Sequence, residues 1–123
     1  MKPTVLLIED DELIGKLLQF ILQREGYQVE WLKDGIAAEQ RIAEPGFSAV
    51  ILDLMLPFLD GVYLLEQLRK QPHGQKVPVL ILTAKMGESD IASALKKGAD
   101  DYLVKPFQPH EFSARLKRLM ERR

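Results

Sequence analysis

The sequence has no cysteine and only two histidines, His73 and His110. The absence of cysteine excludes disulfides, thiolate nucleophiles and cysteine-ligated metal sites. The two histidines lie far apart along the chain, so a zinc site is not expected. His73 falls in a polar loop and His110 at a helix start, so neither is interpreted as a phosphohistidine site or a ligand.

An excess of either charge sign and a long apolar run are also absent. Seventeen basic residues balance eighteen acidic ones, giving a net charge of -1. This balance does not favour direct binding to nucleic acid or to an anionic membrane. The N-terminal stretch MKPTVLLIEDD contains only a short apolar run, interrupted by acids, which resembles neither a signal peptide nor a membrane span. A cytoplasmic protein is therefore the expectation.

The length of 123 residues, with 46% hydrophobic and 28% charged residues, indicates one globular domain over residues 1–123. Apolar strand patterns and amphipathic helix patterns alternate five times with short connections. The predicted strands cover 4–8, 27–31, 48–52, 77–82 and 101–104, and the predicted helices cover 12–25, Asp34-Gly35 to Pro45-Gly46, 61–70, 88–97 and 109–120. Right-handed crossovers then imply an α/β doubly wound fold around a parallel sheet.

Polar side chains that can carry chemistry follow four of the predicted strands, namely Glu9 and Asp10, Asp53, Thr83 and Lys105. In the flavodoxin-like strand order 2-1-3-4-5, the ends of the first and third strands are neighbours. Converging carboxylates repel one another unless a hard cation neutralises them, which predicts magnesium, with manganese as the alternative. A nearby hydroxyl and ammonium group suit the oxygens of an incoming phosphoryl group.

Each of these residues also has an ordinary structural interpretation. The acids from Glu9 to Asp11 suit a helix N-terminus, and Asp11 is expected to have that role. Asp53 could cap the next turn, Thr83 could bond locally, and Lys105 could be solvated. These residues lie at successive strand ends on one edge of the sheet. It is less probable that all of them have only such structural roles than that they form a site.

The motifs LLIEDD, VILDLMLPFLDG, VPVLILTAK and GADDYLVKPF resemble the receiver domain of two-component response regulators over essentially the whole chain. The resemblance implies that Asp53 accepts a phosphoryl group from a sensor histidine kinase or a histidine phosphotransfer protein. It also implies that Asp10 binds magnesium directly, that Glu9 binds it through water, and that the backbone carbonyl of Met55 is a further ligand.

The same resemblance assigns the conformational switch. Lys105 would contact the phosphoryl oxygens, and Thr83 would move to bond them. Tyr102 would then turn inward into space left by Ala84, and the Lys105-Pro106 peptide would be cis. Such a domain catalyses only its own phosphorylation and slow dephosphorylation, so it is not an enzyme with a diffusible product.

Three side chains bear on the lifetime and detection of the phosphorylated state. In receivers, the residues two after the phosphoacceptor and two after the threonine flank the approach of hydrolytic water; here they are Met55 and Lys85. Both are long and neither is a good base, which predicts slow hydrolysis. Trp31 lies on the second strand and is not expected to report on the site by fluorescence.

The predicted α4-β5-α5 face (fourth helix, fifth strand and fifth helix) resembles that of receivers from winged-helix transcription factors, which dimerise there through charge pairs. The residues that carry this resemblance are Asp100, Asp101, Glu111, Arg115, Lys117 and Arg118. The fourth helix departs from the pattern, with Ile91 in place of a basic residue and Lys96 and Lys97 in place of an acid. Like charges in register oppose association, so a weak or differently packed homodimer is expected.

Three other functions are less consistent with the sequence. A flavin protein of this fold would meet repulsion between the flavin phosphate and the acids after the first strand. An aspartate-nucleophile phosphatase needs a general acid two residues after Asp53, where the chain has Met55. A catalytically silent receiver-like module is disfavoured by the full set of acids, Thr83 and Lys105. No output domain is recognised within residues 1–123, and the sequence does not distinguish a free-standing regulator from a piece of a longer one.

Overall fold

The computed structural model describes residues 2–84 and 88–121. Five parallel strands form one sheet in the order β2-β1-β3-β4-β5, and helices follow each strand, which confirms the flavodoxin-like doubly wound fold. The elements are β1 (Thr4–Ile8), α1 (Glu12–Arg24), β2 (Gln28–Leu32), α2 (Gly35–Ile42), β3 (Ala49–Asp53), α3 (Gly61–Lys70), a 3-10 turn (Pro72–Gly74), β4 (Val79–Thr83), α4 (Glu88–Lys96), β5 (Asp101–Val104) and α5 (Pro109–Glu121).

Apart from one added 3-10 turn, the differences from the sequence-based prediction lie at element ends. The strand β3 extends one residue further than predicted, so that Asp53 is its last residue. The segment after α3, predicted as a loop, contains the 3-10 turn. No helix in the described ranges is both long enough and apolar enough to span a bilayer.

The core consists of two apolar layers, one on each face of the sheet. Alternate residues of the buried strands point to opposite faces, as strand geometry requires. One layer joins the sheet to α2, α3 and α4, and the other joins it to α1 and α5. All five residues of β3 are buried. The central strand β3 is thus covered on both faces, and its carboxyl end is fixed in position between β1 and β4.

Aspartates cap the starts of three helices. Asp11, Asp34 and Asp60 precede α1, α2 and α3, and each carboxylate accepts a hydrogen bond from a backbone N–H in the first helical turn. Such caps typically contribute about 1 kcal/mol each. The expected helix-start role of Asp11 is confirmed, with Ile14 N donating to its Oδ1 at 3.0 Å.

At the opposite end of the sheet, Arg69 of α3 bonds to two connections, the one between α3 and β4 and the one between α4 and β5. Its Nη1 donates to the carbonyls of Gly74 and Val77 at 2.9 and 2.7 Å, and its Nη2 donates to Asp100 Oδ2 at 3.2 Å. The same Asp100 oxygen accepts from Val79 N at 2.8 Å. Burial lowers the pKa of Arg69, an effect opposed by the charge of Asp100.

Candidate functional site

Asp53 presents its carboxylate at the carboxyl end of the central strand, where it is only 3% exposed. Met55 N donates a hydrogen bond to Oδ1 at 2.9 Å, and Lys105 Nζ donates to Oδ2 at 3.0 Å. These bonds fix the orientation of the carboxylate. A buried acid held in this way at the edge of a parallel sheet lies where α/β proteins build their binding sites.

Glu9 follows β1 and is completely buried. Its Oε2 accepts a hydrogen bond from Asp11 N at 3.1 Å. Its Oε1 lies 2.8 Å from Lys105 Nζ, but it has no aligned hydrogen-bond donor within the described residues. Burial raises the pKa of Glu9 to about 7, against the opposing effects of Lys105 and the Asp11 N–H. Glu9 and Asp53 share the one Lys105 ammonium group, and a bound cation would supply the further positive charge that two buried carboxylates need.

Lys105 is placed directly after β5 by the hydrogen bond that its backbone N–H donates to Thr83 O at 2.7 Å. Its ammonium group lies between Glu9 and Asp53, and only 15% of the side chain is exposed. Burial alone would lower the pKa of Lys105, but the two carboxylates outweigh burial and raise it. The Lys105-Pro106 peptide is cis, as the resemblance implied.

Glu9, Asp10 and Asp53 bring carboxylate oxygens within 4.8 Å of one another. Among the residues that the structure describes, Lys105 alone pairs an ammonium group with these acids, so the cluster of three carboxylates carries excess negative charge. Oxygen-only ligands suit magnesium rather than zinc or a soft metal. The oxygen donor set and the excess negative charge therefore fit a divalent cation.

Within the described residues, the side chains of the other predicted site residues make no hydrogen bond to these three carboxylates. Thr83 ends β4 and is fully buried, and its hydroxyl donates to the neighbouring Ala84 carbonyl at 3.0 Å. Tyr102 is half-buried against the apolar layer on the α2–α4 face. The Met55 side chain is 58% exposed. Lys85 lies outside the described residues.

The expectation that Trp31 lies apart from the site is wrong. The side chain reaches from the end of β2 to the first acid, with Trp31 Nε1 donating to the Glu9 carbonyl at 2.8 Å. The parallel pairing of β1 with β2 was a signal that could have located it, because it places Leu7 opposite Trp31. The reach of the indole could not be read from that pairing alone.

Several charged residues on or beside the α4-β5-α5 face are paired within the chain. Asp101 accepts from Arg115 at 2.9 Å and from Arg118 at 3.2 Å. Asp100 bonds Arg69 of α3 at 3.2 Å. Lys97, directly after α4, pairs with Glu66 on α3 at 3.1 Å. A dimer held by these charged residues would therefore have to replace bonds that they already make within the chain.

Comparisons with known proteins agree with this geometry. The family described as the response regulator receiver domain matches residues 5–117. The chain is 47% identical over 119 residues to the transcriptional regulatory protein QseB of Haemophilus influenzae, covering 97% of this chain and 53% of that protein. It is 39% identical to the phosphate regulon transcriptional regulatory protein PhoB of Rhizobium meliloti, covering 99% of this chain and 54% of that protein. The chain thus spans about half the length of the curated relatives it matches.

Solved structures show the same fold. The receiver domain of sensor histidine kinase PA1611 from Pseudomonas aeruginosa, which has magnesium coordinated in its active site cleft, superposes with a TM-score of 0.89 at 32% identity, covering 98% of this chain and 99% of that one. The receiver domain of the Francisella response regulator 1452 superposes with a TM-score of 0.87 at 35% identity, covering 98% of each chain. On its sequence, its fold and the acids at its strand ends, this chain belongs to the family of response regulator receiver domains.

Proposed function

We propose that this receiver domain is a phosphorylation-dependent switch in which Asp53 accepts the phosphoryl group from a sensor histidine kinase or a histidine phosphotransfer protein. One observation carries the proposal: the oriented Asp53 carboxylate contacts the Lys105 ammonium group and shares its pocket with Glu9 and Asp10. Nucleophile, countercharge and candidate metal ligands are therefore assembled at one strand edge.

The chemistry requires no general base. An ionised carboxylate is already the nucleophile, so an Asp53 oxygen can attack phosphorus directly. A bond between that oxygen and phosphorus forms while the bond between phosphorus and the donor imidazole nitrogen breaks, and the nitrogen keeps the electron pair. Lys105 is placed to neutralise charge on the transferred oxygens. The reaction modifies only the domain itself, apart from later hydrolysis.

The residues that would hold magnesium are Asp10 directly, Glu9 through water, Asp53, and the Met55 backbone carbonyl. The clustered carboxylates support this set, and the same oxygen ligands would also accept manganese. When bound, the metal would supply positive charge beside the phosphoryl oxygens. Chelation should therefore abolish phosphorylation while leaving the fold in place.

We assign Thr83 and Tyr102 to the relay that follows phosphorylation. The Thr83 hydroxyl makes only a local bond to Ala84 O, which it can exchange for a phosphoryl oxygen at small cost. Tyr102 lies on β5, where it pairs with Ile81 of β4, and its side chain is half-buried. A negative phosphoryl group would thus bias a two-state element at the α4-β5-α5 face. The transcriptional names of the longer relatives support a transcriptional output for that face.

Homodimerisation through the α4-β5-α5 face should be weak. Asp101 already bonds Arg115 and Arg118 within the chain, and Lys97 already bonds Glu66. Sedimentation at micromolar concentration, with and without beryllofluoride as the phosphoryl mimic, measures this association. A tight, salt-insensitive dimer that is lost on Arg115→Glu would contradict the expectation.

Labelling with acetyl phosphate and magnesium tests the central assignment. The unaltered chain should incorporate phosphate, and Asp53→Asn should not, because the amide is not a nucleophile. Asp34→Asn is the matched control, since it changes the same group at a helix cap away from the site and should label normally. Similar labelling of Asp53→Asn and the unaltered chain would refute the assignment.

The phosphatase alternative has a separate readout. The chain should release no phosphate catalytically from para-nitrophenyl phosphate, because the residue two after Asp53 is Met55, which cannot act as a general acid. A silent interaction module would show neither labelling nor turnover.

A further inference from the structure

Trp31 bonds to the backbone of the acidic turn that follows β1. Its Nε1 donates to the Glu9 carbonyl at 2.8 Å, and Glu9 N donates to the Leu32 carbonyl at 3.0 Å. Both backbone polar groups of Glu9 are thus bonded to β2. The orientation of the peptide between Glu9 and Asp10 is therefore set from the neighbouring strand rather than by the turn alone.

The indole itself has little freedom to move. It lies against Gly15 of α1, where an added Cβ would fall 1.9 Å from Trp31 Cζ2. On its ring, Lys33 Nζ lies 4.6 Å from the centroid, and that ammonium group is held by Glu12 Oε1 at 2.6 Å. A side chain confined in this way presents its N–H in one direction, which makes it a rigid anchor for the carbonyl it bonds.

The Asp10 side chain follows the peptide that Trp31 holds. It is exposed, and the side-chain hydrogen bonds of residues 2–84 and 88–121 include none to its carboxylate. Its carboxylate nevertheless lies within 4.8 Å of those of Glu9 and Asp53. With no side-chain partner to aim it, the direction of Asp10 follows from the orientation of the peptide before it.

We infer that Trp31 is a positioning residue for the metal site: its N–H holds the Glu9 carbonyl so that Asp10 faces Glu9 and Asp53, and magnesium binding there changes the emission of the indole. The inference rests on the proposed metal site. It reverses the sequence-based expectation that fluorescence would not report on the pocket. Outer partners that orient metal ligands typically matter by about tenfold or more in metal affinity.

The first experiment uses the unaltered chain. Trp31 is the single tryptophan of the sequence, so its emission can be followed without interference. Titration with magnesium chloride should give a saturable change with the same midpoint as calorimetry, and sodium chloride of equal ionic strength should not. Asp10→Asn keeps the indole and its surroundings but removes a ligand charge, so the change should vanish. Emission that stays constant while calorimetry shows binding would overturn the reporter part of the inference.

The second experiment separates positioning from packing. Trp31→Phe keeps a ring against Gly15 but loses the N–H donor, and we expect the magnesium Kd to rise about tenfold. Val29→Ala is the matched control, because it trims the same strand and the same apolar layer without touching Glu9. It should lower the free energy of unfolding while leaving the Kd unchanged.

Lys33→Ala removes the cation from the ring and leaves the N–H bond, so its Kd should stay within about twofold of the unaltered value. A Trp31→Phe chain that binds magnesium as tightly as the unaltered chain would overturn the positioning role and leave the metal site standing. Failure of the unaltered chain to bind magnesium in calorimetry would instead overturn the metal site, and this inference with it.

Discussion

Lys105 Nζ donates a hydrogen bond to Asp53 Oδ2 at 3.0 Å, so the proposed nucleophile is neutralised by a side chain that follows a different strand. Lys105→Met keeps most of the aliphatic stem and removes this charge. We expect labelling by acetyl phosphate to slow by at least about tenfold, because the transferred oxygens lose their ammonium partner. Magnesium should bind more tightly, since a competing cation has left the acidic cluster.

The control for this prediction is Lys33→Met, which removes a surface ammonium group paired with Glu12. Its labelling rate and magnesium Kd should match those of the unaltered chain. A Lys105→Met chain that loses magnesium binding as well as labelling would show that the lysine organises the pocket rather than competing with the metal.

Glu9 makes stability depend on pH. Burial raises its pKa from 4.5 to about 7, so the folded state favours the protonated carboxyl. The resulting stabilisation is complete below about pH 4.5 and is lost as the pH rises through 7. Without metal, we expect the unaltered chain to lose on the order of 1–3 kcal/mol relative to Glu9→Gln over that interval. Urea unfolding at several pH values with a chelator measures the difference, and parallel curves for the two chains would contradict the prediction.

Arg69 should be among the most sensitive charged positions outside the site. Arg69→Met leaves the Gly74 and Val77 carbonyls without their donor and the Asp100 carboxylate without its cation. We expect the free energy of unfolding to fall by about 3 kcal/mol, measured by urea denaturation. Lys97→Ala, which removes one half of an exposed pair with Glu66, should cost less than about 1 kcal/mol. Equal losses in the two variants would show that the buried bonds contribute little.

Phe58 lies in the left-handed region with φ of 75° and is 81% exposed, so it bears backbone strain without the benefit of burial. Phe58→Gly should raise the free energy of unfolding by about 0.5–1 kcal/mol, because glycine adopts this conformation without a Cβ penalty. Phe58→Ala removes the ring but keeps the Cβ, and its stability should stay near that of the unaltered chain. A gain of equal size in both variants would attribute the cost to the exposed ring instead of the backbone.

Met55 should prolong the phosphorylated state. It follows Asp53 by two residues, and its long, 58% exposed side chain offers no base for water. We expect loss of label from the unaltered chain over minutes or longer, and faster loss from Met55→Asn. A half-life of seconds for the unaltered chain, measured by loss of radiolabel, would contradict this steric argument.

The fold and the gathering of acids could be predicted because each depends on a local pattern. Apolar runs located the strands, and the polar residue after each run located the site edge. Parallel strands bring such residues together irrespective of side-chain detail, which is why Glu9, Asp10, Asp53 and Lys105 meet as expected.

The hydrogen bonds of Arg69 and Trp31 could not be predicted in the same way. Their partners are mainly backbone carbonyls, which every residue carries, so the sequence offers no pattern that marks them. An arginine in the last turn of a helix suggests a surface cation. The structure instead places Arg69 against Asp100 and the backbone carbonyls beside it.

The contact between Gly15 and Trp31 also constrains how this sequence can change over time. Any side chain at position 15 would collide with the ring, whereas a smaller residue at position 31 would open the space that such a side chain needs. The two positions therefore accept substitution only in one order, with the ring reduced first. If the indole also positions the acidic turn, replacing Trp31 first would weaken metal binding. Both Gly15 and Trp31 are then expected to stay unchanged.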